Sequence, residues 1–400
     1  MAEKNSLDNI VIATVSSTHA DFSERIAEYA GQNGSILNIM DPHKFSGKEY
    51  CPRFKVPVIE KNVYLIATQG PFQNPQEMMA RIAFAASAAK TNGARRVTAV
   101  MTDLPFSRQD RGPKEDSRMI GQPLSAEVQA AIFAATGVDR VLTMHLHSEK
   151  LYSIYANVYR QEGKNVLYGI VPDFITAHYF RSCASLNIKE NGSDIVFIAV
   201  DKGSIPYIRR IKKLIGLPYA GILCFSKKRK EPNKETGLLI DIDSHENVTL
   251  LENKIGIIAD DIVDTGGTLG VIGDALNTNK FGLGKMKGLY IYFTHPVLAA
   301  DSYKQKQSDL IKIGAREIIC TNTRPYIAEI EKQDEEFKKR ATILLIEKLF
   351  AHAIINCCER NKHPEEVYTF ATGNDGDEQA SKLYEIKRSE LFIEKDIEKK

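Results

Sequence analysis

The chain has 400 residues, with 53 lysines and arginines against 51 aspartates and glutamates, and six cysteines. That near balance excludes bulk attraction to nucleic acid or to a membrane surface, so any functional basic patch must be local. Cys51, Cys183, Cys224, Cys320, Cys357 and Cys358 show neither CxxC nor zinc spacing, which fits reduced thiols of a cytoplasmic protein rather than a disulfide framework.

The opening MAEKNSLDNIVIATVSS lacks a basic segment followed by a long apolar stretch, and no later run approaches the roughly 18 apolar residues that read as a membrane span. Short β-rich apolar runs then recur along the chain: NIVIATV (9–15), VYLIAT (63–68), RVTAVMT (96–102), RVLTMHLH (140–147), DIVFIAV (194–200), KIGIIADD (254–261) and GLYIYFTH (288–295). Between them, stretches such as 75–91 and 122–136 carry apolar residues at helical spacing. This alternation predicts an α/β protein with mostly parallel sheets, whose strands are buried on both faces and so read as continuous apolar runs. Seven such runs predict two domains. QEGKN and VPDF interrupt the pattern near 160–175, placing a first domain at 1–165 and a second at 166–334. The stretch beyond about 370 is charged and reads as a surface helix or tail.

The most informative stretch is IIADDIVDTGGTLG (257–270), an apolar strand that ends in two carboxylates and then a glycine turn. In open α/β sheets, ligands sit at the carboxyl ends of strands. Asp260 and Asp261 at such an end can accept hydrogen bonds from vicinal sugar hydroxyls or hold a divalent cation. Gly266 and Gly267 permit close backbone approach, Thr265 and Thr268 offer hydroxyls, and a helix expected to begin near Leu269 adds the positive end of its dipole. Carboxylates for a diol or metal beside amides for a phosphate describe a site for a ribose 5-phosphate. The competing interpretation is an ordinary capped turn, since Asp, Thr and Gly favour such positions.

Three further stretches bear on the chemistry. PFSRQDR (105–111) puts Arg108, Gln109 and Arg111 after a strand, where they suit a nucleotide's base and phosphates. GVDRVLTMHLH (137–147) is expected to put His145 and His147 on one face of a strand. CFSKKRKEPNKE (224–235) follows an apolar strand with Lys227, Lys228, Arg229 and Lys230 in a polar loop.

With ADDIVDTGGTL, RQDR, the basic loop, THP and the helix around KLFAHAI in order across roughly 8–370, the chain resembles the ribose-phosphate diphosphokinases, also called phosphoribosyl pyrophosphate synthetases. The resemblance implies two tandem phosphoribosyltransferase-like domains, the first completed by residues 335–370, with 371–400 as a charged tail. It implies transfer of the β,γ-diphosphoryl group of ATP to the C1 hydroxyl of ribose 5-phosphate, with Mg2+ or Mn2+, in a homo-oligomer, usually a hexamer, of the cytoplasm. By the same resemblance, Lys227 and Arg229 are the catalytic cations. Phe45, Gly47, Lys48, Glu49, Arg108, Gln109 and Arg111 bind ATP, and His147 and Asp201 hold the metal. Asp260, Asp261, Asp264, Thr265, Gly266, Gly267 and Thr268 bind the ribose phosphate.

Three departures stand out. The family's usual Asp-Leu-His reads His145-Leu146-His147, its Phe-Ser-Asp-Gly-Glu reads Phe45-Ser46-Gly47-Lys48-Glu49, and its Ser-Pro-Asp loop reads Ala199-Val200-Asp201 followed by Lys202. They leave open two alternatives: the same chemistry on a larger acceptor such as ADP-ribose, or a non-catalytic regulatory paralogue. A base phosphoribosyltransferase is disfavoured by RQDR and the basic loop.

Overall fold

The computed structural model describes residues 9–388 except 16–18, 32–42, 45, 47–48, 71–73, 161–165, 183–185, 187, 189, 229–236, 241–245, 247, 249, 265, 299–309 and 371–373. The chain forms two units. The first runs through Val171 and takes in Thr323–Pro325 and Glu347–Thr369, and the second comprises Pro172–Asn322, Tyr326–Ile346 and the chain from Phe370 onward.

The first unit contains β1 (Ile10–Thr14), a short antiparallel pair β2 (His43–Lys44) and β3 (Tyr50–Cys51), then β4 (Asn62–Ala67), β5 (Arg96–Met101), β6 (Arg140–Met144) and β7 (Leu167–Ile170). Its five-stranded sheet has the order β1-β4-β5-β6-β7 and is parallel throughout. Every residue of β1 and β4 is buried, which accounts for their unbroken apolar runs. Helices Pro75–Thr91, Ser125–Thr136 and Lys150–Tyr159 pack in succession, and Ala20–Tyr29 packs against Glu347–Ala353. Asn74 starts the first of these helices by accepting a hydrogen bond from Gln76 N, with Pro75 in the first turn where its missing N–H costs nothing.

The second unit contains β8 (Ile195–Ala199), β9 (Gly221–Lys228), β10 (Gly237–Ile240), β11 (Ile255–Val263), β12 (Gly288–Pro296), β13 (Glu317–Thr321), β14 (Ala341–Leu345) and β15 (Glu385–Arg388). Its eight-stranded sheet has the order β10-β9-β8-β11-β12-β13-β14-β15, with antiparallel strands only at the two edges. Its core joins Val196, Ile198, Ile258, Ile291, Phe293 and Ile318 from the strands to Leu269, Ile272 and Leu276 of helix Gly267–Asn277.

Several sequence expectations shift. Strand β7 belongs to the first unit, so that unit extends past residue 165. Residues 335–346 belong to the second unit, because β14 hydrogen-bonds to β13 in parallel register. The stretch expected as a charged tail forms helix Asn374–Ser381 and then β15, which pairs antiparallel with β14. Phe370 packs on Phe174 at 4.6 Å, Asp377 pairs with Arg181 at 3.0 Å, and Tyr384 is buried with its hydroxyl on His178. The described cysteines Cys51, Cys224, Cys320, Cys357 and Cys358 are all free thiols.

Candidate active site

In the second unit, strand order reverses between β8 and β11: β9 lies to one side of β8, while β12, β13 and β14 follow β11 on the other. The carboxyl ends of these two strands therefore flank the crevice where open α/β sheets bind ligands. β8 stops at Ala199, and its pairing with β11 ends at Ile198 and Ile258, so β11 runs on beyond its neighbour through Val263. Asp260 and Asp261 thus stand on a strand rather than in a loop, with Asp260 level with Phe293 of β12. Both are half-buried. Desolvation, followed by the adjacent Asp261 and the facing Asp201, holds the Asp260 carboxyl well above the usual carboxylate range. Two adjacent carboxylates with a third within electrostatic reach suit a ligand rich in hydroxyls.

Beyond Val263 the chain turns through Asp264 and Gly266. Gly266 takes φ 65°, a left-handed conformation that only glycine adopts cheaply, and no atom stands within 4 Å of where a Cβ would be. That turn starts the helix at Gly267, two residues earlier than expected near Leu269. The exposed Gly267 and half-buried Thr268 therefore form the first helical turn, at the positive end of the helix dipole, where an anion is favoured.

Asp201 is exposed and bends back over the following turn, its Oδ1 accepting from Gly203 N at 2.8 Å. A Cβ on Gly203 would stand 3.0 Å from that oxygen, a tight contact that the Asp201 carboxylate would have to yield to by a few tenths of an ångström. Lys202, the added cation, is exposed beside it. Lys227 and Lys228 lie on β9 rather than in the loop expected after it, because β9 runs on to pair antiparallel with β10, Lys227 in register with Leu238.

In the first unit, the chain leaves β5 at Met101, passes buried Thr102 and Asp103, and turns at Phe106, whose φ is 62°. Arg108, Gln109 and Arg111 are all exposed, whereas Asp110 between them is buried. Arg111 Nε stands 3.9 Å from Asp110 Oδ1. The loop is tied by Gln109 N donating to Phe106 O at 2.9 Å and by Ala126 N, in the next helix, donating to Gln109 O at 3.3 Å.

The histidines depart from expectation. The β6–β7 pairing ends at Met144 and Ile170, and His145 turns out of the strand with φ 43° while its N–H still donates to Ile170 O at 2.8 Å. His145 and His147 therefore do not share a strand face: His145 is buried and His147 is exposed in the loop after β6. Among the other expected residues, Glu49 is exposed, while Phe45, Gly47, Lys48, Arg229 and Thr265 lie outside the described residues. Sequence reasoning missed the ion pair of Asp103 with Arg324, which braces the 105–111 loop. No local pattern could have found it, because the partners are 221 residues apart.

Among the described residues no three histidine, cysteine or carboxylate side chains cluster closely enough to cage a metal. His147 and Asp201, the expected metal ligands, are both exposed.

Comparison with known proteins places these observations in a family. Residues 10–137 match the model of the N-terminal domain of ribose phosphate pyrophosphokinase, and residues 179–282 match the phosphoribosyl transferase domain. The chain is 26% identical over 345 residues to the ribose-phosphate pyrophosphokinase of Oceanobacillus iheyensis, covering 86% of this chain and 92% of that one. It is 28% identical over 347 residues to that of Clostridium acetobutylicum, covering 86% and 93%. Its fold is similar to the crystal structure of phosphoribosylpyrophosphate synthetase from Mycobacterium smegmatis, with a TM-score of 0.66 at 20% identity over 88% of this chain and 99% of that one.

Proposed function

The chain belongs to the ribose-phosphate pyrophosphokinase family, and from that premise we propose that it transfers the β,γ-diphosphoryl group of ATP to the C1 hydroxyl of ribose 5-phosphate. The products are phosphoribosyl diphosphate and AMP. The observation that carries this reading is the second unit's switch point, where Asp260 and Asp261 stand near the end of one strand, just before a glycine turn and a helix N-terminus. In one place it offers acceptors for sugar hydroxyls and donors for a phosphate.

The residues divide the work as follows. Asp264 through Thr268 hold the 5-phosphate by backbone N–H groups and hydroxyls. Asp260 and Asp261 accept hydrogen bonds from the ribose hydroxyls and fix the C1 end toward Asp201. In the first unit Arg108 and Gln109 hold ATP, with Arg111 and Glu49 beside them and with Phe45, Gly47 and Lys48 at the adenine. The C1 oxygen bonds to the β-phosphorus of ATP, the bond from that phosphorus to the α,β-bridging oxygen breaks, and AMP departs carrying that oxygen. The hydroxyl proton leaves to water or to the Asp260 and Asp261 pair. Such transfers need alignment and charge neutralisation more than covalent help. Lys227 and Arg229 supply positive charge to the transferring group. His147 and Asp201 are the residues that would hold Mg2+, which would supply further charge neutralisation.

Phosphorus NMR of the purified protein with ATP and Mg2+ tests the reading, with ribose 5-phosphate in one tube and ADP-ribose in another. AMP with a new C1-linked diphosphate in the first tube is the expected result. The same signal only in the second tube would overturn the assignment of the acceptor, and silence in both, with Mn2+ also tried, would overturn the activity.

A further inference from the structure

Asp103 stands two residues past the end of β5 and immediately before the loop that carries Arg108 and Gln109. Its side chain is only 6% exposed, and its Oδ2 accepts from Nε of Arg324 at 2.7 Å and from Nη2 at 2.6 Å. Two nitrogens of one planar guanidinium on one carboxylate oxygen fix both the distance and the direction of the contact. The neighbouring residues repeat the tie, since Thr102 Oγ1 donates to Thr323 O and both residues are fully buried. Gln69, also buried, donates its side-chain N–H to Asp103 O at 3.4 Å.

The chain that provides Arg324 is unusual in its route. Thr323–Pro325 belong to the first unit, although the chain on either side belongs to the second. Asn322, just before them, is held in the second unit by accepting from Ile346 N at 2.9 Å and donating its own N–H to Leu344 O. Thr323–Pro325 are thus a three-residue excursion of the chain into the first unit, and two of these residues, Thr323 and Arg324, reach the root of the 105–111 loop.

A buried ion pair is a poor way to gain stability, because desolvating both charges offsets much of their attraction, and an apolar pair of similar volume would pack at least as well. What it provides is a fixed angle. The loop it roots is anchored at its far end by Ala126 N on Gln109 O. Arg108 and Gln109 therefore project from a span whose two ends are pinned.

We infer that Asp103 and Arg324 are positioning residues that aim the 105–111 loop at the triphosphate of ATP. They touch no substrate themselves and act through Arg108 and Gln109. This rests on the proposed assignment of that loop to ATP.

The test uses the full chain with Asp103→Asn, Arg324→Gln, Arg324→Lys and the double substitution Asp103→Asn with Arg324→Gln. Calorimetry with Mg2+ and a non-hydrolysable ATP analogue reads nucleotide affinity without any acceptor, and steady-state assays read KM for each substrate. Either single charge removal is expected to weaken analogue binding by about tenfold or more and to raise KM for ATP in parallel. KM for ribose 5-phosphate is expected to stay within about twofold. Arg324→Lys should recover part of the loss, and the double variant, which leaves no unpaired buried charge, should bind no worse than the weaker single variant.

Folded variants that bind the analogue as the wild type does, or that lose affinity for both substrates equally, would overturn the positioning role. So would a double variant that fails to fold by circular dichroism, since that marks the pair as structural. Wild-type protein that binds the analogue yet turns over neither acceptor would overturn the proposed reaction alone. Wild-type protein that binds no analogue would overturn both.

Discussion

The two units position their candidate binding residues in different ways. In the second, the acidic pair sits on β11 itself, level with residues of β12, and the phosphate turn follows directly at a reversal of strand order. In the first, strand order runs without reversal, and Arg108, Gln109 and Arg111 project from a turn-rich loop held at its root by an ion pair from far along the chain. A switch point provides a crevice from topology alone, whereas a sheet that lacks one must brace its loop by other means.

Substitutions sharpen the contrast by asking whether damage to one support stays on that side. The largest effect is expected at Lys227, which lies on β9 on one side of the switch point. Lys227→Ala should lower kcat by about 10³ to 10⁵, the scale of losing a charge that stabilises phosphoryl transfer. Near wild-type turnover in a folded variant would remove Lys227 from the mechanism.

Asp260→Asn comes next. It keeps the shape but replaces one oxygen acceptor by a donor, and the lost hydrogen bond to a sugar hydroxyl should reduce kcat/KM for ribose 5-phosphate by about 10- to 100-fold. Binding of the ATP analogue should stay within about twofold. If both substrates weaken together in the calorimeter, the division of labour between the units fails.

The smallest effect tests stability in the second unit away from the site. Asp173 opens helix Asp173–Ser182, and burial, only partly offset by Arg210 with its Nε at 3.2 Å, raises its carboxyl to about 6. An acid whose folded value lies above its unfolded one binds its proton more tightly when folded, so stability falls as pH rises from about 4 to about 6. Asp173→Asn removes that dependence. Its Tm should match the wild type near pH 4 and exceed it near pH 7, by an amount worth at most about 3 kcal/mol. A difference in Tm that does not vary with pH would refute the assignment.

What the sequence revealed follows the physical range of each signal. Strands buried on both faces announce themselves as apolar runs, and KIGIIADD and RVTAVMT became β11 and β5 within two residues at either end. The acidic pair and the glycine turn were legible because the residues that define them are adjacent. The exit of His145 from β6 was not, because the strand stops where its partner β7 stops, and RVLTMHLH carries no mark of that. β15 was hidden for a different reason. As an edge strand with partly exposed residues it reads EIKR, and charge on an edge discourages pairing with other molecules while advertising a tail. The brace at Asp103 depends on a contact between distant parts of the chain and has no local signature.

The interleaving of the two units along the chain also dictates how the protein is made. The first unit is nearly complete at Val171, yet helix Glu347–Ala353, which packs against Ala20–Tyr29, leaves the ribosome only after most of the second unit has been synthesised. At about 5–20 residues per second, that delay is on the order of ten to thirty seconds. Throughout it the Ala20–Tyr29 helix has its contact with β1 but lacks the helix it packs against in the finished fold.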